Sequence, residues 1–276
     1  MGLAHPDSGL LPWISDTPLN SQHRILHTQR SKRMNSVEKP HDYIPGEFES
    51  VKFQGRRAAY YEGLEKIKGL GYTVEDFIHH FPAFTGQMTL ARFFSLYEAY
   101  KATLGLAGHI AEIGVYKGAS TLFFAKMVEL FEPNSITQVH GFDWFQGNAP
   151  SSSEPGIVPG ADVETYERLT ALIEAQNLQH VVRIHPLDVT RELDLFFEKH
   201  SHLQFKLVFL DAGMYDVVKA ALPHFWSRLN KGGYLLLDQF NFDIAPGETR
   251  AVRELLPDVA VLTYPSGWMP SAYIIK

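Results

Sequence analysis

Five apolar stretches of this sequence each end on, or just beyond, a carboxylate. Glu112 sits within H-I-A-E-I, Asp143 closes Q-V-H-G-F-D, Asp188 follows V-V-R-I-H-P-L, Asp211 closes L-V-F-L-D and Asp238 closes Y-L-L-L-D. A carboxylate so placed can accept hydrogen bonds from hydroxyls or an amine, take a proton, or ligate a hard cation. Its neighbours decide which.

Beside Glu112 the chain reads A-E-I-G-V-Y-K-G-A-S-T, so Glu112, Gly114 and Gly118 form E-x-G-x-x-x-G ahead of a helix. Gly114 permits a turn that a side chain would obstruct, and Gly118 permits close approach to the helix start. A dinucleotide fingerprint needs G-x-G-x-x-G to seat a pyrophosphate; Glu112 stands where its first glycine would be, poor for phosphate and suited to a cationic amine. The plainer alternative is an ordinary strand-turn-helix junction. Asp143 is expected to accept both hydroxyls of a ribose rather than to cap a turn. At Asp188 two readings stay open. Leu187 and Asp188 hold an adenine and its exocyclic amine, or Asp188 starts a helix by capping it.

Asp211 and Asp238 should share a rim, with Gln239 and Asn241 beside them. Two carboxylates at close range repel unless a cation or a shared proton intervenes. Mg²⁺ takes oxygen ligands and leaves positions for a diol substrate, and hydrogen-bonded carboxylates without a metal are the alternative. His185 and His224 are further candidate bases, each with an ordinary structural explanation. Taken in chain order, the strand-end residues are expected to bind S-adenosylmethionine through Glu112, Gly114, Tyr116, Gly118, Ser120, Asp143 and Asp188.

The elements that must position these groups follow from the pattern. Seven strands are expected, over 109–113, 138–143, 181–185, 207–211, 234–238, 259–264 and 272–275, with helices starting near Ser120, Val163, Val217 and Thr249. The strands near 207 and 234 are almost wholly apolar, as parallel strands covered on both faces are. The fold expected is α/β, a doubly wound, mostly parallel seven-stranded sheet of Rossmann-like type with an N-terminal helical extension. Residues 1–105 would form an arm and helical cap, and 106–276 the cofactor-binding domain. Helical spacing over 56–68 and 90–104 brackets H-H-F-P-A-F-T-G-Q-M-T, which Pro82 and Gly86 punctuate. This aromatic-rich region is either an added packing layer or a wall over the crevice. With the arm of residues 1 to about 50 it is expected to support a homodimer or higher homo-oligomer.

Composition narrows the partners. Hydrophobic residues make up 45% of the 276 and charged residues 20%, so the chain should fold. With 25 Lys and Arg against 31 Asp and Glu, the net charge of -6 gives a phosphate backbone or an anionic membrane no concentrated positive surface. Neither nucleic acid nor membrane is the expected partner; a small molecule is. Cysteine is absent, which removes thiolate nucleophiles, disulfides and cysteine metal sites together. Neither a signal peptide nor an apolar run of membrane-spanning length is evident, and a cytoplasmic location is the expectation.

With these residues in view, the chain resembles the TylF/MycF-type O-methyltransferases. These are class I S-adenosylmethionine-dependent enzymes that mature macrolide and related natural-product sugars, many of them with Mg²⁺. The resemblance rests on E-I-G-V-Y-K-G-A-S from Glu112, G-F-D-W-F-Q-G from Gly141, L-D-A-G-M-Y-D from Leu210, K-G-G-Y-L-L-L-D-Q-F from Lys231 and P-G-E-T-R-A-V-R-E-L from Pro246, spread over about 108–276. It implies cofactor-loop and ribose roles for Glu112, Gly114 and Asp143. It makes Asp211 a metal ligand also proposed as the base, and Asp238 a second ligand. Two positions depart from the family pattern. Gly213 replaces the second acid of D-x-D-x-Y, and Gln239 replaces the second acid of D-D, contributing an oxygen but no charge. The implied activity is methyl transfer to a hydroxyl of a sugar-like or polyol acceptor, with Asp211 and Asp238 as catalytic residues and Mg²⁺ held by Asp211, Asp238 and Gln239. The alternative is a cofactor-binding relative that has lost its chemistry at the weakened acidic site, or that works without metal.

Overall fold

Apolar side chains alternate along the central strands, and both faces of each strand find a partner. A computed structural model of the chain describes residues 48–150, 154 and 157–276. Pro45–Lys276 form one compact unit. The expected arm lies almost wholly outside the described residues, and with it any part it plays in an oligomer.

Helices come first: α1 (Glu49–Lys68), α2 (Val74–His79), α3 (Phe81–Phe84) and α4 (Gln87–Ala102). The punctuated stretch thus holds two short helices. Thr73 opens α2 with a capping box, its hydroxyl accepting from the Asp76 N–H while the Asp76 carboxylate accepts from the Thr73 N–H. Pro82 falls in the first turn of α3, where a missing N–H costs nothing.

Then follow β1 (His109–Ile113), α5 (Ala119–Phe131), β2 (Val139–Asp143), α6 (Tyr166–Ala175), β3 (Val182–Pro186), α7 (Leu193–Lys199), β4 (Phe205–Leu210), α8 (Tyr215–Arg228), β5 (Leu229–Leu237), α9 (Gly247–Leu255) and β6 (Ala272–Ile275). The sheet order is β3-β2-β1-β4-β5-β6. All neighbours are parallel except β6, which runs antiparallel to β5. Chain order reverses between β1 and β4, the switch point where open α/β sheets bind ligands.

The sheet among the described residues has six strands, not seven. Segment 259–264 pairs with β6 by backbone at Leu262 and Tyr273, which exchange hydrogen bonds of 2.9 and 2.8 Å, and the Tyr264 ring stacks on Tyr273. One bridge is too little to count as a strand of the sheet.

Period-two alternation divides the core. Ala111, Ile113, Val208, Leu210, Leu235 and Leu237 pack with α7, α8 and α9. Ile110, Leu207, Phe209 and Leu236 belong to the second cluster, with residues of α4, α5 and α6. This is a three-layer sandwich, and it fixes which way the strand-end carboxylates point. Glu112, Asp211 and Asp238 share the parity of Ile110, Phe209 and Leu236, so they face the side covered by α4 and α5.

Candidate active site

At the switch point the tips of β1 and β4 touch through backbone. Gly114 has φ +90°, and a Cβ there would come within 2.5 Å of the Asp211 carbonyl oxygen. Only glycine lets the loop leave β1 this close to β4. Gly118, at φ +77°, opens α5 in the left-handed region, and Tyr116 between them also has positive φ and a partly exposed ring.

Asp143 organises this loop. Its Oδ2 accepts the N–H groups of Val115 at 2.9 Å and Tyr116 at 3.0 Å, and its Oδ1 accepts that of Phe145 at 2.8 Å. Asp188 makes a local turn, with the Thr190 N–H and hydroxyl both donating to Oδ1, and does not cap α7, whose N-cap is Glu192. Glu112 is buried and accepts a hydrogen bond from the Thr121 hydroxyl, tying β1 to α5. Burial pushes it up to about 7, against the pull of Thr121 and the Arg92 charge.

The acidic rim is assembled around a residue that the sequence pattern did not single out. Arg92, from the second turn of α4, donates through Nη1 to Asp238 Oδ1 at 2.5 Å and through Nη2 to Asp211 Oδ2. Nη2 also lies 3.3 Å from the Ser120 hydroxyl. Its guanidinium sits over the Phe209 ring, 5.2 Å from the centroid. Burial works against its charge, but Asp211, Asp238 and Glu112 outweigh it, so Arg92 is held protonated more firmly than usual. Burial lifts Asp211 well above the ordinary carboxylate range; Arg92 pulls the other way, and Asp238 and Glu112 add to the rise.

A second residue without an assigned role supports Asp238 from behind. Glu248, fully buried at the start of α9, accepts the Gln239 N–H at 2.7 Å. Burial and the Asp238 charge raise it well above its usual range. Among the described residues the Gln239 side chain bonds to neither aspartate, and its Oε1 lies against Gly213, where a Cβ would overlap it. That buried oxygen has no hydrogen-bond partner among the described residues.

These positions test the expected metal ligands. A cation does intervene between Asp211 and Asp238, but it is a guanidinium. Among the described residues no group of three or more His, Asp or Glu side chains is arranged to hold a metal ion. With Arg92 bonded to both aspartates and Gln239 packed on Gly213, the set Asp211, Asp238 and Gln239 does not fit a divalent ion in this arrangement. Asn241, the expected helper, is exposed, with its N–H bonded to Thr249. His185 is paired with His140 at 3.0 Å, and His224 lies 3.6 Å from Asp194; neither joins the rim.

Residues 111–240 match the family model described as a methyltransferase domain. That span, just under half of the chain, runs from β1 past the end of β5, and the match supports an enzyme. Among solved structures, the chain is similar to CalS11, a calicheamicin methyltransferase, with TM-score 0.72 and 19% identity over 87% of this chain and 98% of that one. A second CalS11 structure, described as an apo TDP-rhamnose 3'-O-methyltransferase of calicheamicin biosynthesis, gives 0.65 and 21% over 80% and 94%. The O-methyltransferase NovP gives 0.58 and 15% over 67% and 79%. At these identities the likeness is one of fold. No curated protein matches the sequence. No helix among the described residues is long and apolar enough to cross a membrane.

Proposed function

We propose that the chain is an S-adenosylmethionine-dependent O-methyltransferase acting on a hydroxyl of a sugar-like or polyol small molecule. One observation carries the reading: at the switch point of a methyltransferase domain, the glycine loop and the carboxylates of Asp211 and Asp238 open on the same rim, joined through Arg92 and Ser120. The likeness in fold to CalS11, a TDP-rhamnose 3'-O-methyltransferase, supports the acceptor class.

The residues present fit the cofactor. Gly114 and Gly118 let the loop turn at positive φ tight against Asp211 and Leu169, and Asp143 shapes it while its Oδ1 keeps a lone pair for a ribose hydroxyl. Glu112 and Ser120 lie behind the loop, and Asp188 lies at the tip of the next strand. When bound, the cofactor supplies a methyl group on positively charged sulfur, already an electrophile. The protein's own task is then to hold the acceptor in line and to take the hydroxyl proton. Asp211, at the tip of β4 on this rim, is the carboxylate we assign to that proton. Arg92 and Asp238 fix its position. The donor set gives Mg²⁺ assistance no support, and no step runs through a metal. Helix α4, part of the aromatic region expected to wall the crevice, supplies Arg92 to the rim. Formation of S-adenosylhomocysteine with a panel of sugar nucleotides and glycosides tests the activity.

A further inference from the structure

We propose that Arg92 is this chain's built-in replacement for a divalent cation, holding Asp211 and Asp238 together beside the cofactor loop so that the acceptor site works without metal. Two carboxylates brought to one rim by parallel strands need a positive charge between them. A guanidinium provides it in a planar fork, one nitrogen to each partner. The observed bonds have that form: Nη1 to Asp238 and Nη2 to Asp211, with the Ser120 hydroxyl as a third contact.

The group is seated rather than poised at the surface. Its side chain is 21% exposed, its plane rests on Phe209, and its helix is anchored nearby by Ser95 and Leu96, both fully buried. A metal ion entering here would have to displace Arg92 from two ion pairs and a ring face at once. It would then find two carboxylates and only the neutral Ser120 hydroxyl beside them, because Gln239 Oε1 is packed on Gly213. The two departures from the acidic family pattern, Gly213 and Gln239, thus belong together with the arginine. A site that has lost two acids needs one positive charge where a richer one would need two.

Arg92 is on this account a positioning residue. The inference rests on the methyl-transfer reading only for where the acceptor lies, and cation binding can be read without any acceptor. The test is Mn²⁺ titration of the full-length protein followed by electron paramagnetic resonance, in wild type, Asp211→Asn, Arg92→Met and Arg92→Gln. Wild type should bind Mn²⁺ no more tightly than about 10⁻³ M, the weak end of oxygen-ligand sites. Arg92→Met should gain one site at least roughly 10-fold tighter, because two carboxylates are left uncompensated. If Arg92→Met does not fold, Arg92→Gln carries the test, keeping a shorter but hydrogen-bonding side chain without charge. A saturable wild-type site lost in Asp211→Asn would overturn the proposal, and so would a folded Arg92 variant as silent as wild type. Failure of S-adenosylmethionine to bind would instead defeat the methyl-transfer reading, and it leaves the Mn²⁺ result standing on its own.

Discussion

The carboxamide of Gln239 occupies the space that a side chain at position 213 would need: a Cβ on Gly213 would overlap Gln239 Oε1. Gly213 also has φ +65°, a conformation that costs other residues roughly 1–2 kcal/mol. An acid regained at position 213 would therefore meet both backbone strain and the Gln239 carboxamide. Gly213→Asp is expected to destabilise the fold by roughly 2–4 kcal/mol, strain and overlap together. Adding Gln239→Ala should recover the part due to overlap, making the pair non-additive. Urea unfolding of the two single variants and the double variant checks this; additive losses would mean that the two residues are independent.

Replacing Asp211 separates chemistry from binding. Asp211→Asn keeps a partner for Arg92 but removes the proton acceptor, so turnover should fall by at least roughly 10²-fold, with cofactor affinity within about threefold of wild type. Steady-state rates with an accepted sugar nucleotide, together with calorimetric binding, make the comparison. Full turnover in the variant would remove Asp211 as the base.

Away from the site, Lys206 is fully buried and ion-paired to both oxygens of Glu132, at 2.7 and 2.6 Å, and Tyr100 donates to the same carboxylate at 2.7 Å. This joins α4, the end of α5 and the start of β4. Glu132→Ala leaves a buried ammonium without its partner and should cost about 3–5 kcal/mol. Lys206→Met with Glu132→Leu together should cost much less, since no charge is then stranded. Denaturant midpoints at pH 7 distinguish the two.

A histidine cluster is expected to steepen the loss of stability in acid. His140 is buried, its Nδ1 3.0 Å from His185 Nε2, with His109 stacked edge-on and His200 and Arg183 nearby. Burial, then the charges of His185 and its neighbours, lowers His140 to about 3, and burial with His200 and Arg183 lowers His185 to about 4. The unfolded chain takes up these protons near pH 6.5 and the folded one does not, so stability is full above about 6.5 and falls as pH drops toward 4. For His140 the slope approaches about 1.4 kcal/mol per pH unit. His140→Leu should flatten the acid limb of a urea-midpoint profile between pH 4 and 6.5; an unchanged limb would show that the cluster is not its cause.

What the sequence disclosed was what local pattern can encode. The apolar runs ending at Asp143, Asp211 and Asp238, the glycine spacing after Glu112, and the parity that turns three carboxylates toward one face all depend on near neighbours in the chain. Arg92 depends on distant ones. Its partners lie 119 and 146 residues away, and within R-F-F-S-L-Y it reads as a polar break in an aromatic helix. Glu248 was visible only as one acid in P-G-E-T-R, because its burial is created by α9 docking behind Asp238. The expected seventh strand, 259–264, has the composition of a strand, but composition does not fix its pairing with β6, and a single bridge forms among the described residues. Helix α7, at seven residues, is too short for periodicity to declare it.

The central claim is that the glycine loop and strand-end carboxylates hold S-adenosylmethionine. Isothermal titration of the full-length protein with S-adenosylmethionine, and separately with NAD, tests it most directly. The expected result is one saturable site for S-adenosylmethionine and none for NAD, with affinity reduced at least roughly 10-fold in Asp143→Ala, which removes both the loop's anchor and the ribose acceptor. Saturable NAD binding with no response to S-adenosylmethionine would contradict the account.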